Sequence, residues 1–382
     1  MQNENTGTRN ENIDFLRAIA ILLVMLVHFP RLRQILPFLN PWSGVDLFFA
    51  ISGFVVAKSF VPHLESAQAA ATSQRDRALT TARHVKAFFV RRFFRIMPAL
   101  VFALAFYLIL GFILEENNLK SSQSLGVEIF SIFTYTANFF AAYTPSTTLT
   151  WHWSLAAEEQ FYFLFPFFIL LFKSHGRLAM ATLLVLIITT FLIRPFGEHW
   201  FGNPPAAMYL PQFRNDGLAY GFLIFLACEQ PWFKCLKPKY LMTSYFGRIS
   251  AVFALITVIA LAPELAFNYN FAIPTIGIAS AFLIALALWS DRLFIQFRPI
   301  ASVFRWIGLR SYGLYLLHVP VVRLVQEVEA RHLVKYANVS YPMHFLIVLT
   351  SLCLIVEFCF RIVEMPTQRF GRSLSQAILQ DR

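Results

Sequence analysis

Asn12-Ile-Asp14-Phe-Leu-Arg17-Ala-Ile-Ala-Ile-Leu-Leu-Val-Met-Leu-Val-His28-Phe-Pro30 is the first apolar stretch of the chain, and it carries two groups that a membrane helix ordinarily lacks. At ~100° and 1.5 Å per residue, the eleven steps from Arg17 to His28 return to within ~20° of the starting direction and separate the two side chains by ~16 Å. Both therefore lie on one stripe, with Ile21 and Val24 between them. A charge inside a span costs roughly 2.5–3.5 kcal/mol on insertion scales, so such a stripe is expected to face an interior cavity and to have a task there.

The composition places the rest of the chain around this helix. Hydrophobic residues make up 57% of the 382, with 43 phenylalanines, against roughly 45–50% apolar usage in soluble domains. The expected fold is an all-α integral membrane bundle. Apolar runs of ~20 residues fall near 13–29, 43–62, 96–114, 153–172, 178–194, 213–229, 247–263, 274–290, 311–326 and 343–361, about ten spans. The net charge of +11 is read as loop charge that sets orientation, so no nucleic-acid partner is expected. Taking the termini and even-numbered loops as cytoplasmic puts about 22 Lys and Arg on that side and about 7 on the other, which predicts both termini inside. Residues 1–12 read as a polar N-terminal tail without a removable signal peptide, and 371–382 as a cytoplasmic C-terminal tail with no soluble domain appended.

Two loops and one further segment stand out. The loop 63–95 is the most basic; its Ala, Ser and Gln residues from Ser66 to Ser73 read as a flexible linker, and Ala82 to Pro98 has helical spacing. Gly126 to Tyr143 is apolar, but a full span there would invert every later helix, so it is expected to be re-entrant or interfacial. The outer loop from Arg194 to Arg214 holds Pro195, Trp200, Pro204, Pro205, Tyr209 and Pro211, a composition suited to covering a pocket. Cys228, Cys235, Cys353 and Cys359 imply no disulfide framework, and none has a second Cys or a His at zinc-finger spacing, so no metal is expected.

Several polar groups recur at membrane depth. In Arg91-Arg92-Phe-Phe-Arg95-Ile-Met-Pro98, Arg92 and Arg95 lie one turn apart; paired guanidiniums suit phosphate oxygens, although a positive-inside lipid anchor has the same composition. In Thr150-Trp-His-Trp153-Ser-Leu-Ala-Ala-Glu158-Glu159-Gln-Phe-Tyr162, adjacent carboxylates point about 100° apart. Glu158 is assigned inward, on the face of Trp151, Ser154, Leu155 and Tyr162, on a span entered from the outer side. In Trp42-Ser-Gly44-Val-Asp46-Leu-Phe-Phe-Ala-Ile-Ser52-Gly53-Phe54, the small residues suit close helix contact, and Asp46 is read as a partner for His28. Arg214-Asn-Asp216-Gly217 reads as a local ion pair. Tyr315 and His318 share a face in Ser311-Tyr-Gly-Leu-Tyr315-Leu-Leu-His318, and Glu364-Met-Pro366-Thr-Gln-Arg369 reads as a helix-end capping and docking element.

These motifs, in this order and over nearly the whole chain, resemble acyltransferase family 3, the integral-membrane acyltransferases that include O-antigen and peptidoglycan O-acetyltransferases. Phe15 stands where the family usually has Gly. The resemblance makes 13–370 one acyltransferase-like transmembrane domain in the bacterial plasma membrane. It implies acyl-CoA, chiefly acetyl-CoA, as cytoplasmic donor, and a hydroxyl of a glycan or lipid-linked sugar, such as that of lipopolysaccharide, as acceptor. On that reading Arg17, Arg92 and Arg95 hold the donor's phosphates, and His28 is the general base. Asp46 or Glu158 orients its ring, and Trp153, Tyr315 and His318 face the acceptor. An acyl-histidine intermediate is the other route. A polytopic exporter or flippase of a glycan is the competing class, and the inverted repeats with paired broken helices that would favour it are not visible.

Overall fold

The structure is a computed structural model that describes residues 10–28, 41–144, 147–172, 174–196, 209–265, 269–290, 298–333 and 340–380. Among these every regular element is helical. A helix occupies each of the ten apolar runs. Seven helices are long and apolar enough to cross a membrane: those within 44–70, 74–113, 150–172, 175–196, 245–263, 271–289 and 341–380. The chain is thus a multi-pass membrane protein. Trp200, Pro204 and Pro205 of the proline-rich loop lie outside the described residues.

The chain divides into two compact units, Met1–Val55 with Lys173–Ala207 and Pro211–Ser311, and Val56–Phe172 with Met208–Leu210 and Tyr312–Arg382. In the first, α1 (Glu11–Val27) opens with Asn10, whose side chain accepts from Asn12 N–H, one of the orphan donors of a helix start. α2 (Gly44–Ala70) gives its first turns to this unit and the remainder to the second, which also contains α3 (Gln74–Ile113). The first unit also holds a helix at His175–Ile188, extended by a π-turn over Thr189–Ile193.

The small residues of α2 have a physical counterpart within the first unit. A Cβ on Gly53 would run into the backbone of Leu218, and one on Gly221 into the carbonyl oxygen of Ala50; on Gly217 it would lie 2.6 Å from the Asp46 carbonyl oxygen. Backbones that touch at this range exclude any larger side chain, the small-residue contact familiar in membranes. Gly221→Val is therefore expected to destabilise the protein by about 1–3 kcal/mol or more, read as a lower thermal midpoint in detergent; an unchanged midpoint would contradict the contact.

In the second unit the segment 126–143 is broken into α4 (Leu125–Phe133) and α5 (Ala137–Tyr143). Each is too short to cross a ~30 Å core at 1.5 Å per residue. The break is a left-handed residue, Tyr135 (φ 55°). Thr136 N–H returns to the Ser131 carbonyl oxygen at 2.8 Å, the closing bond of a Schellman turn. α6 (Trp153–Phe172) follows.

Past α6, the first unit continues with α7 (Asp216–Cys228), α8 (Tyr245–Leu265), α9 (Tyr269–Trp289) and α10 (Arg298–Leu309). α9 is its core helix, with Ile273, Ile276, Leu283 and Ile284 fully buried. α10 lies against α1: a Cβ on Gly308 would collide with the Asp14 backbone, and Phe15 stacks on Phe304 at 4.5 Å. The bulky Phe15 is thus accommodated at a regular helix entry. The second unit ends with α11 (Ser311–Val328), whose first residue belongs to the other unit, α12 (Tyr341–Cys359) and α13 (Met365–Gln380).

Two expectations fail in the second unit. The Ser66–Ser73 stretch is helical to Ala70 rather than a flexible linker, because Ala and Gln are good helix formers. Ser73 then caps α3 by accepting from Asp76 N–H at 3.1 Å. The Glu364–Arg369 element does not end a helix either. A π-turn over Phe360–Glu364 leads directly into α13, and such a turn relieves the missing donor of Pro366. α13 packs along α3, with Gly371 against Phe94 and Phe370 5.1 Å from the Phe94 ring.

Candidate active site

In the first unit α1 carries Arg17, and His28 is the residue that caps its C-terminus, with Ile21 and Val24 buried between them. The Asn12 side-chain amide donates to the carbonyl oxygens of Ala287 (3.0 Å) and Ser290 (2.6 Å), which are orphan acceptors at the end of α9. Arg17 pairs with Asp14 one turn back, 3.2 Å away. His28 closes the helix; its Nδ1 lies 3.1 Å from the Val24 carbonyl oxygen. A carbonyl only accepts, so in the neutral ring Nδ1 carries the proton and Nε2 the lone pair.

Asp46 is fully buried and does not serve the imidazole as expected. Its two oxygens accept from Arg214, Nε at 3.0 Å and Nη2 at 2.8 Å, a fork that matches a carboxylate. The Arg214 guanidinium also sits 4.3 Å over the Trp42 ring. The local pair expected between Arg214 and Asp216 is replaced as well: Asp216 takes Arg194, which also donates to the Phe213 carbonyl oxygen at 2.8 Å. Residues two apart at a helix start do not face each other, so each finds its partner elsewhere.

The second unit gathers the remaining candidates. The Arg92 guanidinium lies 4.3 Å over the Tyr162 ring, and the Tyr162 hydroxyl donates to Glu158. Glu159 feels the charges of both Arg92 and Arg95, and its buried Oε1 has no hydrogen-bond partner among the described residues. The two arginines and the two carboxylates, expected at opposite ends of their spans, therefore form one group. Both glutamates take part in it, although their directions on the helix differ. Glu159 is a residue that the sequence reading passed over.

Farther along, the Tyr312 hydroxyl donates to the Ile96 carbonyl oxygen (2.9 Å). The Tyr315 hydroxyl donates to the Trp151 carbonyl oxygen and lies 2.5 Å from Ser154 Oγ. His318 is fully buried, with Nδ1 2.7 Å from the Tyr315 carbonyl oxygen. Trp153 packs edge-on to Tyr209 at 5.5 Å. Arg323, also unforeseen, donates to Tyr107 (3.1 Å) and to the Thr148 carbonyl oxygen (2.8 Å), while Tyr107 donates to Glu116 at 3.2 Å. From Arg92 to Tyr107 along α3 this polar run spans ~22 Å. Among the described residues no cluster of three His, Cys, Asp or Glu could hold a metal.

A family model described as an acyltransferase domain matches residues 10–360, from the cap of α1 into the π-turn before α13. The chain belongs to the acyltransferase 3 family. It is 25% identical over 94% of its length to 56% of the peptidoglycan O-acetyltransferase OatA of Listeria monocytogenes serovar 1/2a. It is 27% identical over 97% of its length to 57% of a putative peptidoglycan O-acetyltransferase, YrhL, of Bacillus subtilis strain 168. A putative O-acetyltransferase of Staphylococcus aureus strain COL matches at 25% over 94% of the chain and 57% of its own length. This acyltransferase 3 chain thus spans a little over half the length of these relatives. No solved structure matches it.

Proposed function

We propose that the chain is an integral-membrane O-acyltransferase that moves an acyl group, chiefly acetyl, from cytoplasmic acyl-CoA to a hydroxyl of a cell-envelope glycan or lipid-linked sugar. The observation that carries the reading is the α1 stripe. Arg17 and His28 are set ~16 Å apart on one helix, and the Val24 carbonyl oxygen holds the imidazole so that Nε2 keeps its lone pair. The names of the bacterial relatives support acetyl as the group and a glycan as the acceptor.

In this mechanism Nε2 of His28 takes the proton of the acceptor hydroxyl as its oxygen attacks the thioester carbonyl carbon. The new C–O bond forms, the C–S bond breaks, and the departing thiolate receives the proton from the imidazolium. Arg17, Arg92 and Arg95 hold the donor's phosphates and pyrophosphate. Glu158 belongs with this anion-binding group, steadying Arg92 through Tyr162, and Tyr315 and His318 line the acceptor's side together with Trp153. In this reading both termini are cytoplasmic and the ten apolar runs, seven of them in helices of full membrane length, thread the bilayer. Arg92→Ala is expected to raise the KM for acetyl-CoA about tenfold or more with kcat nearly unchanged, as a lost charge-assisted hydrogen bond worth roughly 1.5–3 kcal/mol would do. Radiolabelled acetyl-CoA supplied to purified protein measures this. An unchanged KM makes Arg92 a lipid anchor, and the absence of any acetyl-CoA binding by the unmodified chain overturns the donor.

A further inference from the structure

One face of α3 remains outside the polar run. Its residues at 74, 77, 78, 81, 82, 85, 86, 89 and 90 follow the i, i+3, i+4 rule and form a straight stripe ~24 Å long. With Gln68 of α2 and with Phe167 and Leu170 from the last turns of α6, they line an open groove of about 820 Å³ within the second unit. Its floor is apolar, and its cations do not behave alike. Arg77 donates through Nε and Nη2 to the Gln68 carbonyl oxygen, both at 3.3 Å, and so ties α3 to α2. Lys86 is exposed and has neither ion pair nor hydrogen bond among the described residues.

On α6, beside the groove-lining Phe167, Phe163, Leu164 and Leu171 are large apolar side chains left exposed on a helix long and apolar enough to cross the bilayer. Phe167 of the floor is itself exposed in the same way, so in a bilayer the hydrocarbon that meets α6 meets the groove as well. An occupant must therefore be apolar along Phe89, Val85 and α6, and anionic where it reaches Lys86. From Gln74 to Arg92 the sequence holds six cations and the single acid Asp76, so the field at the rim favours an anion.

We propose that this groove binds an anionic phospholipid of the surrounding bilayer, its phosphate beside Lys86 and an acyl chain along Val85, Phe89, Phe167 and Leu170. A basic side chain at the membrane surface selects anionic over zwitterionic headgroups. The site is separate from Arg92 and Glu158, and its occupancy does not require acyl transfer.

Native mass spectrometry of the purified full chain, titrated with phosphatidylglycerol or with phosphatidylcholine of the same chains, tests it. The unmodified protein is expected to retain phosphatidylglycerol preferentially. Lys86→Glu should lower that affinity roughly tenfold, through loss of one juxtamembrane attraction and gain of a repulsion, and leave phosphatidylcholine unaffected. Lys86→Arg should retain the lipid. Equal retention of the two lipids, undiminished phosphatidylglycerol binding by Lys86→Glu, equal loss in Lys86→Arg, or displacement of the lipid by acetyl-CoA would each overturn the proposal.

Discussion

His28→Ala is expected to lower acyl transfer by roughly 10²–10⁴-fold, the usual contribution of a positioned general base, while leaving the chain folded. The side chain is half-buried at the end of α1, and one of its hydrogen bonds runs to a carbonyl of its own helix. Turnover is followed as labelled acyl groups reaching glycan in membranes that contain equal amounts of each variant. His28→Asn sharpens the result: the asparagine amide stands where Nδ1 does and can donate the same hydrogen bond, but it cannot accept and release a proton, so it should be as inactive as alanine. Retention of wild-type turnover by either variant would remove His28 from the chemistry. An Arg17→Ala variant provides the contrast: in the proposed role of holding the donor ~16 Å away, Arg17 should act on the KM for acetyl-CoA more than on kcat.

The second large effect concerns folding. Asp46→Ala is expected to cost about 3–5 kcal/mol, because it removes the carboxylate that meets the buried Arg214 guanidinium in a fork. Both partners are almost wholly inaccessible, at 0% and 2% exposure, so solvent does not take the place of the lost carboxylate. The double variant Asp46→Leu/Arg214→Leu should recover much of the loss, as replacing both members of a buried pair by apolar groups often does. Thermal unfolding in detergent, followed for the two single variants and the double, completes the cycle. If Asp46 instead served only the imidazole, Asp46→Ala would be inactive yet as stable as the parent, and the double variant would rescue nothing.

The helices were legible because an apolar run of membrane length must satisfy its own backbone donors and acceptors in lipid, which a helix does within one segment; each of the ten runs does lie in a helix. Their ends were less so. Ser73 and Asp76 form an N-cap signature that was present in the sequence, but the surrounding Ala and Ser content suggested a linker. Pro366 looked like a stop, and only the π-turn before it shows how the helix continues. The site was legible where partners are near in sequence, as for Tyr315 with His318. It was not legible for Asp46 with Arg214, 168 positions apart, since nothing in a span indicates which distant cation will meet a buried carboxylate. Glu159 was lost to a geometric shortcut: two adjacent carboxylates point apart on their helix, yet one group of arginines and tyrosines engages both.

The docking of α13 on α3 also bears on how the protein is made. α13 begins roughly 250 residues after α3 ends, and ribosomes extend a chain at about 5–20 residues per second. For tens of seconds after Arg92 and Arg95 leave the translocon, Phe94 between them has no Phe370 to rest on. The arginine-bearing turn is consequently among the last parts of the protein to mature, and a ribosome that stalls before Met365 leaves behind a membrane-inserted chain whose Arg92 and Arg95 were never braced.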